Sequence, residues 1–209
     1  MPARLQEPTT GMLTALAPHF DAKTRFALRH RRLFRKKILK KFSDNPGTNA
    51  LIRTVISTTM LRGGAKENSL PTFAAVNLNV RILQGDSIES IMQYVQKITD
   101  DPRIQLTLKR FDHNPSSITP SNGKAWQVLS STINENWPGI IISPLVAPGT
   151  TDSRHYSSLS KNILRFMPVT VNNESKEQIH GINERISIAE YRKSILFYME
   201  LIKKISAEF

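Results

Sequence analysis

The residues able to do chemistry in this chain fall in four places. His180 lies in Ile179-His180-Gly181-Ile182-Asn183-Glu184-Arg185, between an expected strand and a capped C-terminal helix. Loops at the ends of α/β sheets are where binding groups concentrate. An imidazole there can ligate zinc or transfer protons, or it can be a loop histidine held by backbone hydrogen bonds. Gly149-Thr150-Thr151-Asp152-Ser153-Arg154-His155-Tyr156 follows another expected strand end. A glycine turn opening a short helix offers N–H groups and hydroxyls to an anion. Arg154 adds a planar fork matched to a carboxylate. The plainer alternative has Asp152 as the N-cap of a surface helix and Arg154 in solvent. Arg81 sits inside the alternating strand Ala74–Ile82 and shares a face with Asn77 and Asn79. That face is either merely polar or carries a fixed carboxylate clamp. Asn68, in Lys66–Pro71, is turn chemistry on its own terms. His19-Phe20-Asp21 has metal-pair spacing, but no apolar strand precedes it and a basic helix follows, so the match is coincidental.

These residues are carried on 209 positions, a length that suits one domain or two small ones. With 39% hydrophobic and 22% charged residues, a core can be buried. The absence of cysteine excludes disulfides, Cys-ligated zinc, iron–sulfur clusters and a Cys nucleophile. No apolar run approaches a membrane span, and Met1–Leu13 lacks the pattern of a signal peptide. A cytoplasmic location is the expectation.

Residues 1–22 read as a loop. Phe26, Leu33 or Phe34, Ile38 and Phe42 recur at helical spacing, predicting one basic helix over 23–42, stopped by Ser43–Gly47. Ala50–Leu61 and Phe73–Leu83 read as strands around an Arg62–Lys66 turn. Asp86 and Glu89 fit a capping box for a helix striped by Ile88, Ile91, Val95 and Ile98. Ile104–Phe111 alternates as a third strand. Strand, strand, helix, strand suggests an α+β unit of ferredoxin-like character. After a connector at Asn114–Pro120, the pattern is α/β with a parallel or mixed sheet. A helix after Ser121 is striped by Ala125, Leu129 and Ile133; strands follow at Ile140–Leu145 and Ile163–Met167. Ser187 and Glu190 fit a second capping box, opening a helix striped by Ile188, Tyr191, Ile195, Tyr198, Ile202 and Ile205.

The net charge of +12 is uneven, with +8 in residues 1–45 and ten Lys/Arg between Lys23 and Lys41. This segment can attract nucleic acid or an anionic membrane, but no nucleic-acid-binding motif accompanies it. A solvated helix face is the plainer reading.

Taken in order, KENSLP (66–71), AAVNLNVRILQG (74–85), GTTDSRHY (149–156) and HGINERI (180–186) resemble the C-terminal half of the zinc-dependent aminoacylase/carboxypeptidase metallopeptidases. The branch is that of carboxypeptidase S and the N-fatty-acyl-amino-acid synthase/hydrolase enzymes. The resemblance implies a portion of a ferredoxin-like lid, or dimerisation, domain at 1–113, thinly matched over 1–49. It further implies the C-terminal part of an α/β catalytic domain at 114–209. In the family, one or two zinc ions hold a water that a Glu deprotonates for attack on an amide carbonyl. By resemblance, His180 would be a zinc ligand and Arg81 would bind the substrate carboxylate. Asn68 would contact the substrate or the tetrahedral intermediate, and Gly149, Thr151, Asp152 and Arg154 would line its pocket. The family's H-x-D motif, its Glu-Glu pair with the general base, a further acidic ligand and the lid's H-S motif are not found here. The expectation is a chain inactive alone, not retaining zinc, and missing the N-terminal catalytic half, with a separately supplied half, a split gene or a truncated gene product each able to account for this. The expected substrate is a peptide or N-acyl amino acid with a free carboxylate, and a homodimer through the lid is possible. Nucleic acid and membrane are the expected partners only under the alternative, a non-catalytic binding or association module using the basic helix.

Overall fold

The computed structural model describes residues 1–109, 113–147, 149, 151–172, 175 and 178–208. These divide into two units, Met1–Ile118 with Pro144–Arg154, and Thr119–Ser143 with His155–Phe209. The chain is mixed α and β, and among the described residues its strands form one two-stranded antiparallel sheet.

In the first unit, residues 1–22 are not a loop. They hold helix α1 (Thr9–Leu16) and a 3₁₀ turn at Ala17–His19. Met12, Leu13 and Ala17 fall on one side and bury against Leu28 and Ile38. The Glu7 carboxylate accepts from the Gly11 N–H at 3.1 Å and from the Thr10 hydroxyl, closing the first turn. The expected helix over 23–42 is broken into α2 (Ala22–Arg29) and α3 (Arg35–Ser43). Asp21 caps α2 through the N–H groups of Lys23 and Thr24 at 3.0 and 3.1 Å. Hydrogen bonds from Thr24, then Lys23, hold its carboxyl below the ordinary carboxylate range. The His30 carbonyl then accepts from Leu33 at 2.9 Å and Phe34 at 3.2 Å and turns the chain. The reason for the break is burial. A straight helix would hold Leu28 and Ile38 about 15 Å apart along its axis, whereas the bend lets both enter one cluster.

A single turn, α4 (Pro46–Asn49), is capped by Asn45, which accepts from the Gly47 N–H at 2.8 Å. This turn delays the first strand, so β1 is Val55–Gly63 rather than starting at Ala50, and β2 is Ala74–Arg81. Val55 lies opposite Arg81 and Gly63 opposite Ala74, with a bulge between Thr58 and Met60. The bulged Thr59 is satisfied by Asn77, whose carbonyl and side-chain amide both lie 3.2 Å from its hydroxyl. Helix α5 (Ile88–Thr99) is capped one residue later than expected. Ser87 and Ser90 form the box, with N–H to hydroxyl distances of 3.1 and 2.9 Å. Asp86 is engaged elsewhere. It accepts from Arg4 at 2.9 Å and from the hydroxyl of Thr54, which is 0% exposed. That hydroxyl also accepts from the Leu83 N–H at 2.9 Å. The expected strand Ile104–Phe111 forms no ladder over 104–109, and Arg110 and Phe111 lie outside the described residues. An alternating pattern fixes which side chains share a face; it does not supply a partner edge.

In the second unit, α6 (Lys124–Asn136) and α7 (Ile188–Glu208) run antiparallel. Lys124 pairs with Glu208 at 3.2 Å, while Asn136 donates to Glu200 at 2.8 Å. Phe197 is 0% exposed and centres the core with Leu129 and Ile133. Its ring lies 5.4 Å from Trp137 and 5.3 Å from Phe166. The face expected to be buried on α7 is instead largely open. Ile188, Tyr191, Ile195 and Ile202 are exposed, and Ser194 and Phe197 are buried. The helix is apolar on two sides, and periodicity cannot rank them.

The expected strands Ile140–Leu145 and Ile163–Met167 form no ladder. Ile142 and Leu164 nonetheless pack on the helix pair. The carbonyls of the second segment are taken by side chains: Ile163 by Thr119 at 2.8 Å, Phe166 by Tyr198 at 2.8 Å, Pro168 by Ser194 at 3.0 Å. Burial raises the Tyr198 phenol above its ordinary value. Ser187 caps α7 through the Glu190 N–H at 3.1 Å. The Glu190 carboxylate does not complete the box but accepts from the Thr170 N–H at 2.9 Å, the main cause of its lowered pKa. Among the described residues, no helix is long and apolar enough to cross a membrane.

Replacing Phe197 with Ala removes the centre of the second core. The expected cost is about 3–5 kcal/mol, read by urea denaturation; a loss below about 1 kcal/mol would mean the core is not organised on this ring. Thr54→Val leaves the Asp86 carboxylate and the Leu83 N–H short of a partner. It is expected to cost about 1–3 kcal/mol in the same assay.

Candidate functional site

Arg81 ends β2 and lies opposite Val55, with an exposed side chain. Its position is set by the hairpin register and by the hydrogen bonds that follow it. The Leu83 N–H is held by Thr54, and the Gln84 carbonyl by the Arg4 guanidinium at 2.9 Å. Asn68 is exposed in the loop over residues 64–73, at the far end of the hairpin. Strand β2 spans roughly 24 Å, and the loop can reach back at most about 17 Å from its root. Asn68 and Arg81 thus sit at opposite ends of the hairpin.

Gly149, Thr151, Asp152 and Arg154 are brought together by sequence proximity in one turn, with the 3₁₀ segment at Asp152–Tyr156. Thr150 and the preceding Pro148 lie outside the described residues. The Arg154 N–H donates to the Thr151 carbonyl at 3.2 Å, and the hydroxyls of Thr151 and Ser153 are 2.5 Å apart. Gly149, Thr151 and Asp152 are exposed and Arg154 is half-buried. This turn belongs to the same unit as Arg81 and Asn68.

His180 belongs to the second unit. Its side chain is exposed, and its backbone is left-handed at φ 61°, with Asn183 likewise at φ 64°. The Gly181 N–H closes the turn on the Gln178 carbonyl at 2.8 Å. Left-handed backbone in a non-glycine residue costs roughly 1–2 kcal/mol and clusters at functional positions. Sequence spacing carried no sign of this strain.

The described residues contain no group of three His, Asp or Glu placed to hold a metal ion. His180 is a single imidazole where a catalytic zinc takes three protein ligands. His19 does not form a pair with Asp21, whose carboxylate is occupied in capping α2. The described residues thus do not by themselves fit a zinc ion. What they offer is cationic and hydrogen-bonding: a guanidinium at the anchored end of a hairpin, and a hydroxyl-rich turn carrying a second one.

The family model for Peptidase family M20/M25/M40 matches residues 11–204. The chain belongs to this peptidase family. It is a family of metallopeptidases, hydrolases for which zinc is typical. The chain is 32% identical to probable carboxypeptidase S-like 2 of Dictyostelium discoideum, over 86% of this chain and 34% of that protein. It is 33% identical to the N-fatty-acyl-amino acid synthase/hydrolase PM20D1 of Homo sapiens, over 94% of this chain and 40% of that protein. To carboxypeptidase S of Saccharomyces cerevisiae it is 25% identical, over 95% of this chain and 41% of that protein. The M20 chain thus spans between a third and two fifths of the length of these curated relatives. No solved structure matches it.

The exposed, left-handed His180 makes the imidazole's own contribution to stability in this M20 chain measurable by substitution. His180→Ala is expected to change stability by no more than about 0.5 kcal/mol, and His180→Gly to raise it by up to about 1 kcal/mol. Thermal melts of the purified chain check both, and a large destabilisation by either would show that the imidazole is structural.

Proposed function

We propose that this chain is the C-terminal portion of a zinc-dependent carboxypeptidase or aminoacylase. It acts in hydrolysis of the amide bond of peptides or N-acyl amino acids bearing a free carboxylate. The observation that carries the reading is the family match over residues 11–204, which spans all four motifs. In this reading the lid is the hairpin unit, of ferredoxin-like type. Arg81, on the anchored end of β2, takes the substrate carboxylate in a charge-assisted pair, and Asn68 contacts the substrate from the hairpin loop. Gly149, Thr151, Asp152 and Arg154 line the pocket, with Arg154 a second carboxylate contact. His180 is one metal ligand of the assembled site. The remaining ligands and the general base come from the part of the relatives that lies outside the match, so no step through zinc is assigned to this chain alone. The open apolar side of α7, with Ile188, Tyr191, Ile195 and Ile202 exposed, supports a further layer of protein against it.

Hydrolysis of N-acyl amino acids and dipeptides is measured with zinc present, by the chain alone and after mixing with the N-terminal portion of a relative such as carboxypeptidase S. Activity is expected only in the mixture. Arg81→Ala should then lower kcat/KM by about 10- to 100-fold, mostly through KM, while a substrate with an amidated C-terminus should be insensitive to the change. Robust turnover by the lone chain, or an Arg81→Ala mixture as active as wild type, would sink the reading.

A further inference from the structure

The bend between α2 and α3 leaves a surface that the amide-hydrolysis reading does not use. The segment from Lys23 to Lys41 holds ten Lys/Arg and no Asp or Glu, the nearest acids being Asp21 and Asp44. Asp21, itself exposed, is engaged as the cap of α2, accepting from the Lys23 and Thr24 N–H groups. Among the described residues only Lys40 of the ten is ion-paired, to Asp44 at 2.6 Å. Arg29, Arg32, Arg35, Lys36, Lys37, Lys40 and Lys41 are all exposed. The bend also changes the fate of two apolar residues that a straight helix would assign to the core stripe. Leu33, at its apex, is 79% exposed, and Phe26 is 54% exposed. Around Leu33 lies a shallow depression of about 330 Å³ lined by Arg29, His30, Arg31, Arg32 and Leu33.

We infer that this α2–α3 corner docks the chain on an anionic lipid surface, with Leu33 and Phe26 entering the headgroup layer and the surrounding arginines and lysines on lipid phosphates. The charge pattern alone would serve nucleic acid equally well, but the apolar residues decide between the two. A bilayer interface rewards burial of Leu33 among cations, whereas a phosphodiester backbone gains nothing from it. Nor is Phe26 a free stacking platform for bases, since its ring lies 4.4 Å from that of His30 and 5.9 Å from that of Phe34. The inference is independent of the catalytic reading: it concerns a corner remote in sequence from Arg81 and His180 and needs no metal.

The test is flotation of the full 209-residue chain with vesicles of phosphatidylcholine alone or with about 30% phosphatidylserine. Binding is expected to the anionic vesicles only, falling steeply as salt rises from about 50 to about 300 mM. Leu33→Ser with Phe26→Ser keeps every charge and should weaken binding by about tenfold or more. Lys36→Glu with Lys37→Glu should weaken it by about tenfold or more as well. Both pairs are exposed, and unchanged thermal melts confirm that the variants fold. Failure to float at low salt overturns the inference. So does binding to a duplex DNA competitor that displaces the vesicles and is indifferent to the Leu33 and Phe26 changes.

Discussion

Three stretches of chain far apart in sequence end on the Asp86 carboxylate. The Arg4 guanidinium comes from the N-terminal arm, the Thr54 hydroxyl from the residue before β1, and Asp86 itself from the turn after β2. A carboxylate whose side chain is only 9% exposed must replace its lost hydration with partners. Here a cation and a hydroxyl do so, and the same Thr54 oxygen accepts from the Leu83 N–H. The arrangement closes one end of the hairpin and leaves the other end as a free loop. Arg81 sits at the closed end. The node fixes the backbone that carries Arg81, which is what the proposed carboxylate contact would require. The loop carrying Asn68 has no comparable anchor.

Much of this was readable from residue types. The hairpin, the helix after it, both helices of the second unit and the Ser187 cap follow from alternation, apolar spacing and capping chemistry. What escaped is instructive because each miss has one cause. The Asp86–Glu89 box fits the capping pattern, but Arg4, eighty-two positions away in sequence, and Thr54 engage the Asp86 carboxylate, and Ser87 caps the helix instead. Ile163–Met167 has strand composition, yet side-chain donors from Thr119 and Tyr198 take the carbonyls of Ile163 and Phe166, and Ser194 takes that of Pro168 just after it. The 23–42 stripe counted Phe26, and either Leu33 or Phe34, as core; Phe34 packs on the cluster while Phe26 and Leu33 are exposed. It could not see that bending at His30 brings Leu28 and Ile38 together at their expense. The four motifs point to the family that the comparison shows; which of their residues group into one site is not carried by spacing. Spacing holds no information on whether a hairpin loop can reach the opposite end of its own strand.

The chemistry of the site is constrained by ligand number. One imidazole cannot replace enough of the hydration of zinc to hold it in a defined geometry. The left-handed turn at His180 and Asn183 nonetheless commits backbone strain to a loop that presents the exposed imidazole. Such strain is intelligible if its return lies in contacts made by a larger assembly. A guanidinium differs in kind from a metal ligand: it can pair with a negative charge whether or not a metal is present. Under the proposed function, recognition of the acidic end of a substrate and activation of the amide would be separable tasks.

That separation bears on the exposed apolar surface. A two-stranded sheet with Met60, Leu61, Val76 and Leu78 all exposed is marginal by itself, since hairpins gain stability from a third strand or a covering helix. Helix α7 presents Phe197 to one side and Ile188, Tyr191, Ile195 and Ile202 to solvent on another, the pattern of a helix designed for burial on both. In each unit, among the described residues, one apolar side of an element is packed while a second lies exposed. Under the proposed function those exposed sides would be covered by further protein of the assembled enzyme, which would remove the aggregation liability that exposed apolar patches carry.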